Sequence, residues 1–156
     1  MKPDFEIADI KLKEIATLLN TLLADEYILY TKTRNAHWNV EGKNFSELHK
    51  FFEGQYESLD IIIDNTAERV RSLGHFALGT LKDFLQVTRL SEKNDKFSDQ
   101  NSIIQTLLTD HESIIRFLCK DIITAAECKD LGTADFMTGI MEQHEKMAWM
   151  HRAFIS

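Results

Sequence analysis

The fold is decided by residues 45–73, FSELHKFFEGQYESLDIIIDNTAERVRSL, which contain no proline and a single glycine. Within this stretch, side chains suited to a buried stripe recur every three or four residues, at Leu48, Phe52, Tyr56, Leu59, Ile63, Thr66 and Val70. This spacing is typical of the inward face of a helix in a bundle. The stretch therefore predicts one long helix from about residue 45 to residue 73.

The rest of the sequence is equally poor in residues that end helices. Its 156 residues include one proline, Pro3, and six glycines. Because proline and glycine weaken helices and mark turns, their scarcity favours long helices over β-sandwiches and small barrels. The glycines are scattered along the chain, which disfavours a phosphate-binding loop. We predict one all-α domain over residues 1–156.

Apolar spacing and turn residues predict four long helices, with a short helix between the second and the third. The long helices span residues 9–37, 45–73, 98–128 and 134–154, the short helix lies within 80–88, and residues 91–100 form a loop. Asn44 is the predicted N-cap of the second helix, Gly132 is predicted to end the third, and Thr133 to cap the fourth. Short turns make the helix pairs antiparallel, while the long central connection allows a crossover, as in ferritin-like bundles.

Charge and cysteine content limit the possible partners. The formal net charge of −7 attracts cations and disfavours binding to nucleic acid or anionic membranes. We predict no transmembrane helix and no signal peptide, since there is no long apolar run and no charged-then-apolar start. Cys119 and Cys128 lie about 13 Å apart along a helix, too far to form a disulfide. This favours a reducing cytoplasm.

One flank of the second helix carries a histidine and five carboxylates beside the core stripe. On a helical wheel these residues share one arc: His49, Glu53, Glu57, Asp60, Asp64 and Glu68. Carboxylates at this spacing repel one another unless solvent or a cation separates them. A solvated acidic face is one interpretation. The four-residue spacing of His49 and Glu53, which lets both side chains reach one ion, favours a metal-binding face.

The residues of this flank can pair with the same flank of a second copy of the helix. His49 and Glu68 are about 28 Å apart along one helix, so one ion cannot bridge them within a chain. The residue numbers in the pairs 49 and 68, 53 and 64, and 57 and 60 all have the same sum. Two antiparallel copies of the helix would therefore bring the two members of each pair together across a two-fold axis. A helical hairpin centred near residue 43 also sets His37 beside His49. Two imidazoles with two or three carboxylates suit iron or zinc better than magnesium or calcium.

Several motifs resemble those of the Dps family of miniferritins, and together they cover most of the chain. They are HWNVEG at 37–42, Leu48-His49, Phe52-Glu53, DNTAER at 64–69, DLGTAD at 130–135 and EKMAWM at 145–150. The resemblance implies a homo-oligomer, a hollow dodecamer of ferritin-like four-helix bundles, with a short extra helix in the central connection. It also implies ferroxidase centres at the two-fold interfaces.

The same resemblance implies roles for particular residues. His37, His49 and Glu53 of one subunit would bind iron together with Asp64 and Glu68 of its partner. Glu53 stands where the family more often has aspartate, which affects occupancy of the second iron position.

Further roles lie outside the ligand set. Trp38 would intercept oxidising equivalents beside the centre, and Trp149 matches a second family tryptophan; core packing is the alternative for both. Glu127, Asp130 and Asp135 would line the three-fold channels by which Fe(II) enters.

The implied function is iron oxidation and storage in the cytoplasm. Fe(II) would be oxidised by hydrogen peroxide or dioxygen and stored as ferric mineral, which protects against oxidative damage. One alternative is a DNA-binding, nucleoid-protecting protein. Residues 1–10 disfavour it, because they hold one lysine, Lys2, against Asp4, Glu6 and Asp9. The other alternative is a bundle that sequesters a metal such as zinc without redox turnover.

The remaining histidines are not predicted to be ligands. No Glu-x-x-His motif occurs in the sequence, which separates the chain from ferritins whose iron site lies inside the bundle. His111, His144 and His151 are expected to be exposed or hydrogen-bonded locally.

Overall fold

The computed structural model describes residues 3–92 and 99–156, and those residues form five α-helices and no β-strand. In chain order the helices are α1 (Asp9–Asn39), α2 (Phe45–Ser72), α3 (Leu81–Val87), α4 (Gln100–Glu127) and α5 (Leu131–Ile155). The predicted all-α class, the four long helices and the short helix are confirmed. Of the predicted loop, residues 93–98 lie outside the described residues, and Gln100 already belongs to α4.

The bundle consists of two helical hairpins. α1 packs along α2, and α4 packs along α5. Since only a short turn joins the helices of each pair, both pairs run antiparallel. α1 also contacts α3 and α4, whereas α2 and α5 meet over only a few residues. α1 therefore lies at the centre of the packing.

The predicted core stripe of α2 is correct except at two positions. Leu48, Phe52, Leu59, Thr66 and Val70 are buried as expected, whereas Tyr56 and Ile63 are only half-buried and Gln55 and Ile62 are buried in their place. A helix with 3.6 residues per turn presents both the third and the fourth following residue near one face. When α2 packs against α1 and α5, the buried residue is the third after Phe52 and after Leu59. Tyr56, the fourth after Phe52, therefore lies at the edge of the stripe.

The turn between α4 and α5 differs from the prediction. α4 ends at Glu127, Lys129 adopts a left-handed φ of 66°, and Asp130 is the N-cap of α5. Asp130 accepts hydrogen bonds from the backbone nitrogen of Thr133 at 2.9 Å and from its hydroxyl at 2.6 Å. Gly132 and Thr133 therefore lie inside α5, and the prediction that they end one helix and cap the next is wrong. Aspartate is preferred to threonine as an N-cap residue, which explains why Asp130 and not Thr133 caps α5.

Asp130 also ties the start of α5 to the end of α2. Its carboxylate lies 3.2 Å from the Arg69 guanidinium, which donates to the Thr133 hydroxyl as well. We expect Asp130→Ala to lower the free energy of unfolding by about 1–2 kcal/mol, because the cap and the ion pair are lost together. Asp135→Ala, an exposed change in the same helix, should cost less than about 0.5 kcal/mol. Denaturation at one fixed protein concentration measures both; equal losses would contradict the capping role.

A fully buried chain of polar side chains crosses the bundle. Glu26 Oε1 lies 2.8 Å from His144 Nε2, and His144 Nδ1 lies 2.9 Å from His111 Nδ1. The His151 ring lies 5.0 Å from that of His111, and its Nδ1 donates to the carbonyl of Met147 at 2.9 Å. The expectation that His111, His144 and His151 are exposed or bonded only locally is wrong for the first two. Together with Glu26, these two histidines join α1, α4 and α5, because each lies on an inward-facing stripe of its helix.

These buried polar side chains make the stability of the protein depend on pH. Burial lowers the pKa of His111 well below the ordinary value, helped by the neighbouring histidines, and burial also lowers the pKa of His151. The unfolded chain therefore binds more protons than the folded chain below about pH 6.5. We expect full stability above that pH and a falling unfolding midpoint as pH drops from about 6.5 towards 5. His111→Gln should flatten this slope; an unchanged slope would contradict the assignment.

Candidate metal centre

The turn between α1 and α2 brings two histidines face to face. His37 lies in the last turn of α1 and His49 in the first turns of α2. Gly42 makes the turn possible because its φ of 114° is a value that L side chains rarely adopt. The two imidazole rings stack with centroids 3.7 Å apart and an interplanar angle of 20°. The predicted juxtaposition of the two rings is present in the structure.

Reciprocal hydrogen bonds fix the tautomer of both rings. His37 Nδ1 lies 2.7 Å from the carbonyl oxygen of His49, and His49 Nδ1 lies 2.8 Å from the carbonyl oxygen of His37. A carbonyl oxygen only accepts, so each Nδ1 must carry the proton and donate. Nε2 is therefore the nitrogen that each ring has left for binding a metal. This is the arrangement of a metal-binding histidine, whose other nitrogen is held by a backbone carbonyl.

Glu53 and Tyr56 extend this group along α2. Glu53 lies one turn beyond His49 and is half-buried. The Tyr56 ring packs edge-on against the His37 ring, with centroids 5.3 Å apart. Desolvation, and then the Glu53 carboxylate, raise the pKa of the Tyr56 phenol. The sequence prediction treated Tyr56 as core, whereas its ring contacts one of the two stacked imidazoles.

Asp64 and Glu68 lie elsewhere on the same helix. Both are exposed, and they stand about 22 Å and 28 Å from His49 along the axis of α2. Among residues 3–92 and 99–156 of a single chain, no three His, Cys, Asp or Glu side chains are grouped so as to hold a metal ion. The structure therefore brings His37, His49 and Glu53 to one end of α2 and leaves Asp64 and Glu68 towards the other.

Of the remaining predicted site residues, all except Asp130 are exposed. Trp38 and Trp149 are 64% and 61% exposed, so neither packs in the core of its own chain. Trp38 contacts the Arg34 guanidinium, which lies 5.0 Å from its ring centroid. Glu127 and Asp135 are exposed near the turn between α4 and α5. Asp130 lies between them but is buried, with its carboxylate engaged in capping α5.

The chain matches known proteins over nearly its whole length. The model of the ferritin-like domain matches residues 16–156. DNA protection during starvation protein 2 of Bacillus anthracis is 33% identical over 144 residues, which are 92% of this chain and 98% of that protein. The chain belongs to the Dps family of ferritin-like proteins. Its fold is accordingly ferritin-like, as the sequence motifs predicted.

Two further comparisons agree with this membership. A low temperature-induced protein of Nostoc, itself uncharacterised, is 42% identical over 150 residues, which are 96% of this chain and 84% of that protein. The crystal structure of a Vibrio cholerae Dps protein superposes with a TM-score of 0.92 at 30% identity, covering 100% of this chain and 98% of that one.

Family membership bears on function in general terms. The Vibrio cholerae protein is described as a member of a broad superfamily of ferritin-like diiron-carboxylate proteins. Membership supports a general function in iron storage and oxidative protection and implies iron as the metal. In the described parts of this Dps-family chain, no helix is both long and apolar enough to cross a membrane.

Proposed function

We propose that this chain is a ferroxidase that stores iron, with each centre shared between two copies. His37, His49 and Glu53 of one copy would bind iron together with Asp64 and Glu68 of a second copy. The observation that carries the proposal is the pair of stacked imidazoles, whose Nδ1 atoms both donate to backbone carbonyls and whose Nε2 lone pairs are therefore available. These two rings, with Glu53 one turn beyond His49 on α2, would supply half of the ligands of an iron site.

The exposed surface of α2 supports a two-fold interface. Ile61 is 63% exposed close to the midpoint of the acidic flank, about which a two-fold axis would relate His49 to Glu68. The proposed interface would remove this large apolar side chain from water, which is favourable. Two antiparallel α2 helices would place Asp64 and Glu68 of each copy at the histidine end of the other. The full assembly would be a hollow homododecamer, with Glu127, Asp130 and Asp135 at its channels.

The proposed ligand set suits iron that changes oxidation state. Carboxylate oxygens are hard anionic donors that favour Fe(III), while imidazole nitrogen keeps affinity for Fe(II). Two Fe(II) ions supply the two electrons that reduce hydrogen peroxide, with two protons, to two water molecules. Because the electrons arrive as a pair, no hydroxyl radical is released. The ferric product would then be hydrolysed and deposited as mineral in the cavity, which would protect the cell from oxidative damage.

An anaerobic titration tests this function against metal sequestration. Fe(II) is added to the assembled protein without oxygen, followed by hydrogen peroxide in one sample and dioxygen in another. We expect near-ultraviolet absorbance to rise faster than in protein-free buffer, and the comparison identifies the preferred oxidant. A protein that binds Fe(II) or Zn(II) without accelerating oxidation would be a redox-inert metal binder, and the ferroxidase proposal would be wrong.

A further inference from the structure

A groove with a volume of about 430 Å³ lies between α2 and α5. Its apolar walls include Phe51 of α2 and Met147 and Met150 of α5. The Phe51 ring packs against the rings of His151 and Phe154, with centroids 5.1 Å and 4.7 Å apart, which holds this wall in place. Sites for small molecules have volumes of about 300–1,000 Å³ and mostly apolar walls. The groove is therefore large enough for a small organic molecule.

The groove is separate from the proposed iron centre, although both use α2. His49 lies on the side of α2 that faces α1, where its ring stacks on that of His37. Phe51 lies on the side that faces α5. Among the described residues that line the groove, none is a proposed iron ligand. A molecule in the groove would therefore occupy a different face of the helix.

A buried amide in the groove has an unsatisfied oxygen. Gln55 lines the groove and is only 5% exposed. Its Oε1 accepts no hydrogen bond from any residue that the structure describes. Its Nε2 lies 4.0 Å from the sulfur of Met150, which is a weak acceptor. Since a buried acceptor without a partner costs free energy, a molecule that donates a hydrogen bond to Oε1 would remove that cost.

Two lysines give the groove a positive charge. Lys50 and Lys146 line it and are both exposed, and no carboxylate is present among the described residues of its lining. The formal net charge of the whole chain is −7, so the charge of the groove is opposite to that of the protein. An anionic group placed between two ammonium groups makes charge-assisted hydrogen bonds, which are stronger than neutral ones.

We propose that the groove binds a small organic carboxylate with an apolar body and a hydroxyl or N–H group at its other end. The carboxylate binds Lys50 and Lys146, the body packs against Phe51, and the donor reaches Oε1 of Gln55. Met150 moves aside to admit the donor, because its unbranched side chain turns about three bonds. This binding function is independent of the proposed ferroxidase function.

Three related compounds test the inference. 4-Hydroxyphenylacetate carries the carboxylate, the apolar ring and the hydroxyl donor. Phenylacetate lacks the donor, and 4-hydroxyphenylacetamide lacks the charge. Isothermal titration calorimetry of the metal-free, full-length protein measures the affinity for each compound. We expect saturable binding of 4-hydroxyphenylacetate and at least about fivefold weaker binding of the other two, because each of them loses one polar interaction.

Two groove variants and one control locate the binding. Gln55→Leu removes the amide and should bind phenylacetate as tightly as 4-hydroxyphenylacetate. Lys50→Gln with Lys146→Gln should bind 4-hydroxyphenylacetate at least about fivefold more weakly than the unchanged protein. The matched control, Lys82→Gln with Lys120→Gln, removes two exposed charges outside the groove and should leave that affinity unchanged.

Several outcomes would overturn the inference. It is wrong if the unchanged protein shows no saturable binding of 4-hydroxyphenylacetate, or if the groove lysine variant and the control lysine variant bind it equally well. It is also wrong if the preference for the hydroxyl group survives in Gln55→Leu. Size-exclusion chromatography checks that each variant assembles. The lysine variants change only exposed side chains, so they still decide the matter if Gln55→Leu does not assemble.

Discussion

Replacing both stacked histidines, His37→Ala with His49→Ala, is expected to reduce protein-dependent oxidation of Fe(II) by at least about 10–100-fold. The two Nε2 lone pairs are the nitrogen ligands of the proposed centre, because both Nδ1 atoms are occupied by donation to backbone carbonyls. Without them, the half-site keeps only Glu53, and its affinity for Fe(II) falls. Stopped-flow absorbance with Fe(II) and hydrogen peroxide measures the rate above that of protein-free buffer.

A matched histidine variant controls for this substitution. His75→Ala removes an imidazole from the connection that follows α2, outside the proposed centre, and should leave the rate unchanged. Far-ultraviolet circular dichroism checks that the double variant remains helical, since each ring also bonds the backbone across the turn between α1 and α2. A folded double variant that oxidises Fe(II) as fast as the unchanged protein would show that the histidines are not ligands.

The second large effect is a loss of stability, expected when the buried polar side chains are changed. Glu26 and His144 are both fully buried and 2.8 Å apart. His144→Leu leaves the Glu26 carboxylate without its partner in the core, which should cost about 3–5 kcal/mol of unfolding free energy. Chemical denaturation at one fixed protein concentration measures this loss, because oligomerisation makes apparent stability depend on concentration.

A double-mutant cycle isolates the pair. Glu26→Leu with His144→Leu removes both polar groups, so no carboxylate is left without a partner. The bond between His144 and His111 is lost equally in His144→Leu and in the double variant. The double variant should therefore lose less stability than His144→Leu alone. If the two single losses simply add, Glu26 and His144 do not stabilise each other, and the pair is incidental to the packing.

The sequence predicted the architecture because the signals for it are local. Apolar spacing on α1 and α2 and the scarcity of proline and glycine depend only on neighbouring residues, and they placed the helices within a few residues of their observed ends. The sequence also predicted the hairpin that sets His37 beside His49. Because the turn between the two helices is short, the residues that face each other across it follow from their distance to the turn.

What the sequence did not predict depends on contacts between helices. His111 lies four residues after Leu107 and three before Ile114, and His144 lies four after Ile140 and three before Met147, so both follow an inward-facing stripe. The stripe was a usable signal for burial. The bond between His111 and His144 was not predictable in this way, because it depends on how α4 is rotated against α5.

Tyr56 and Asp130 show the same limit. The wheel placed Tyr56 in the core, and only its packing against α1 brings it onto His37. Asp130 was singled out by resemblance as a channel residue, whereas its carboxylate is buried against Thr133 and Arg69. A role in the channel stays a prediction for Asp130, and its capping role is an additional constraint that exposed Glu127 and Asp135 do not share.

The central claim is that each iron centre takes ligands from two copies of the chain, and complementation between two inactive variants tests it most directly. One variant carries His37→Ala and His49→Ala, and the other carries Asp64→Ala and Glu68→Ala. Each alone should be inactive. The two are co-expressed with different affinity tags, and mixed assemblies are purified through both tags and sized by chromatography.

Shared centres predict recovery of activity in the mixed assemblies. An interface between one copy of each variant has one intact centre and one that lacks every mutated ligand. With random pairing in equal amounts, about a quarter of all centres are intact, so about a quarter of the unchanged protein's rate should return. A centre built within one chain cannot be restored by mixing. Mixed assemblies of the correct size that stay as inactive as the separate variants would contradict the shared centre.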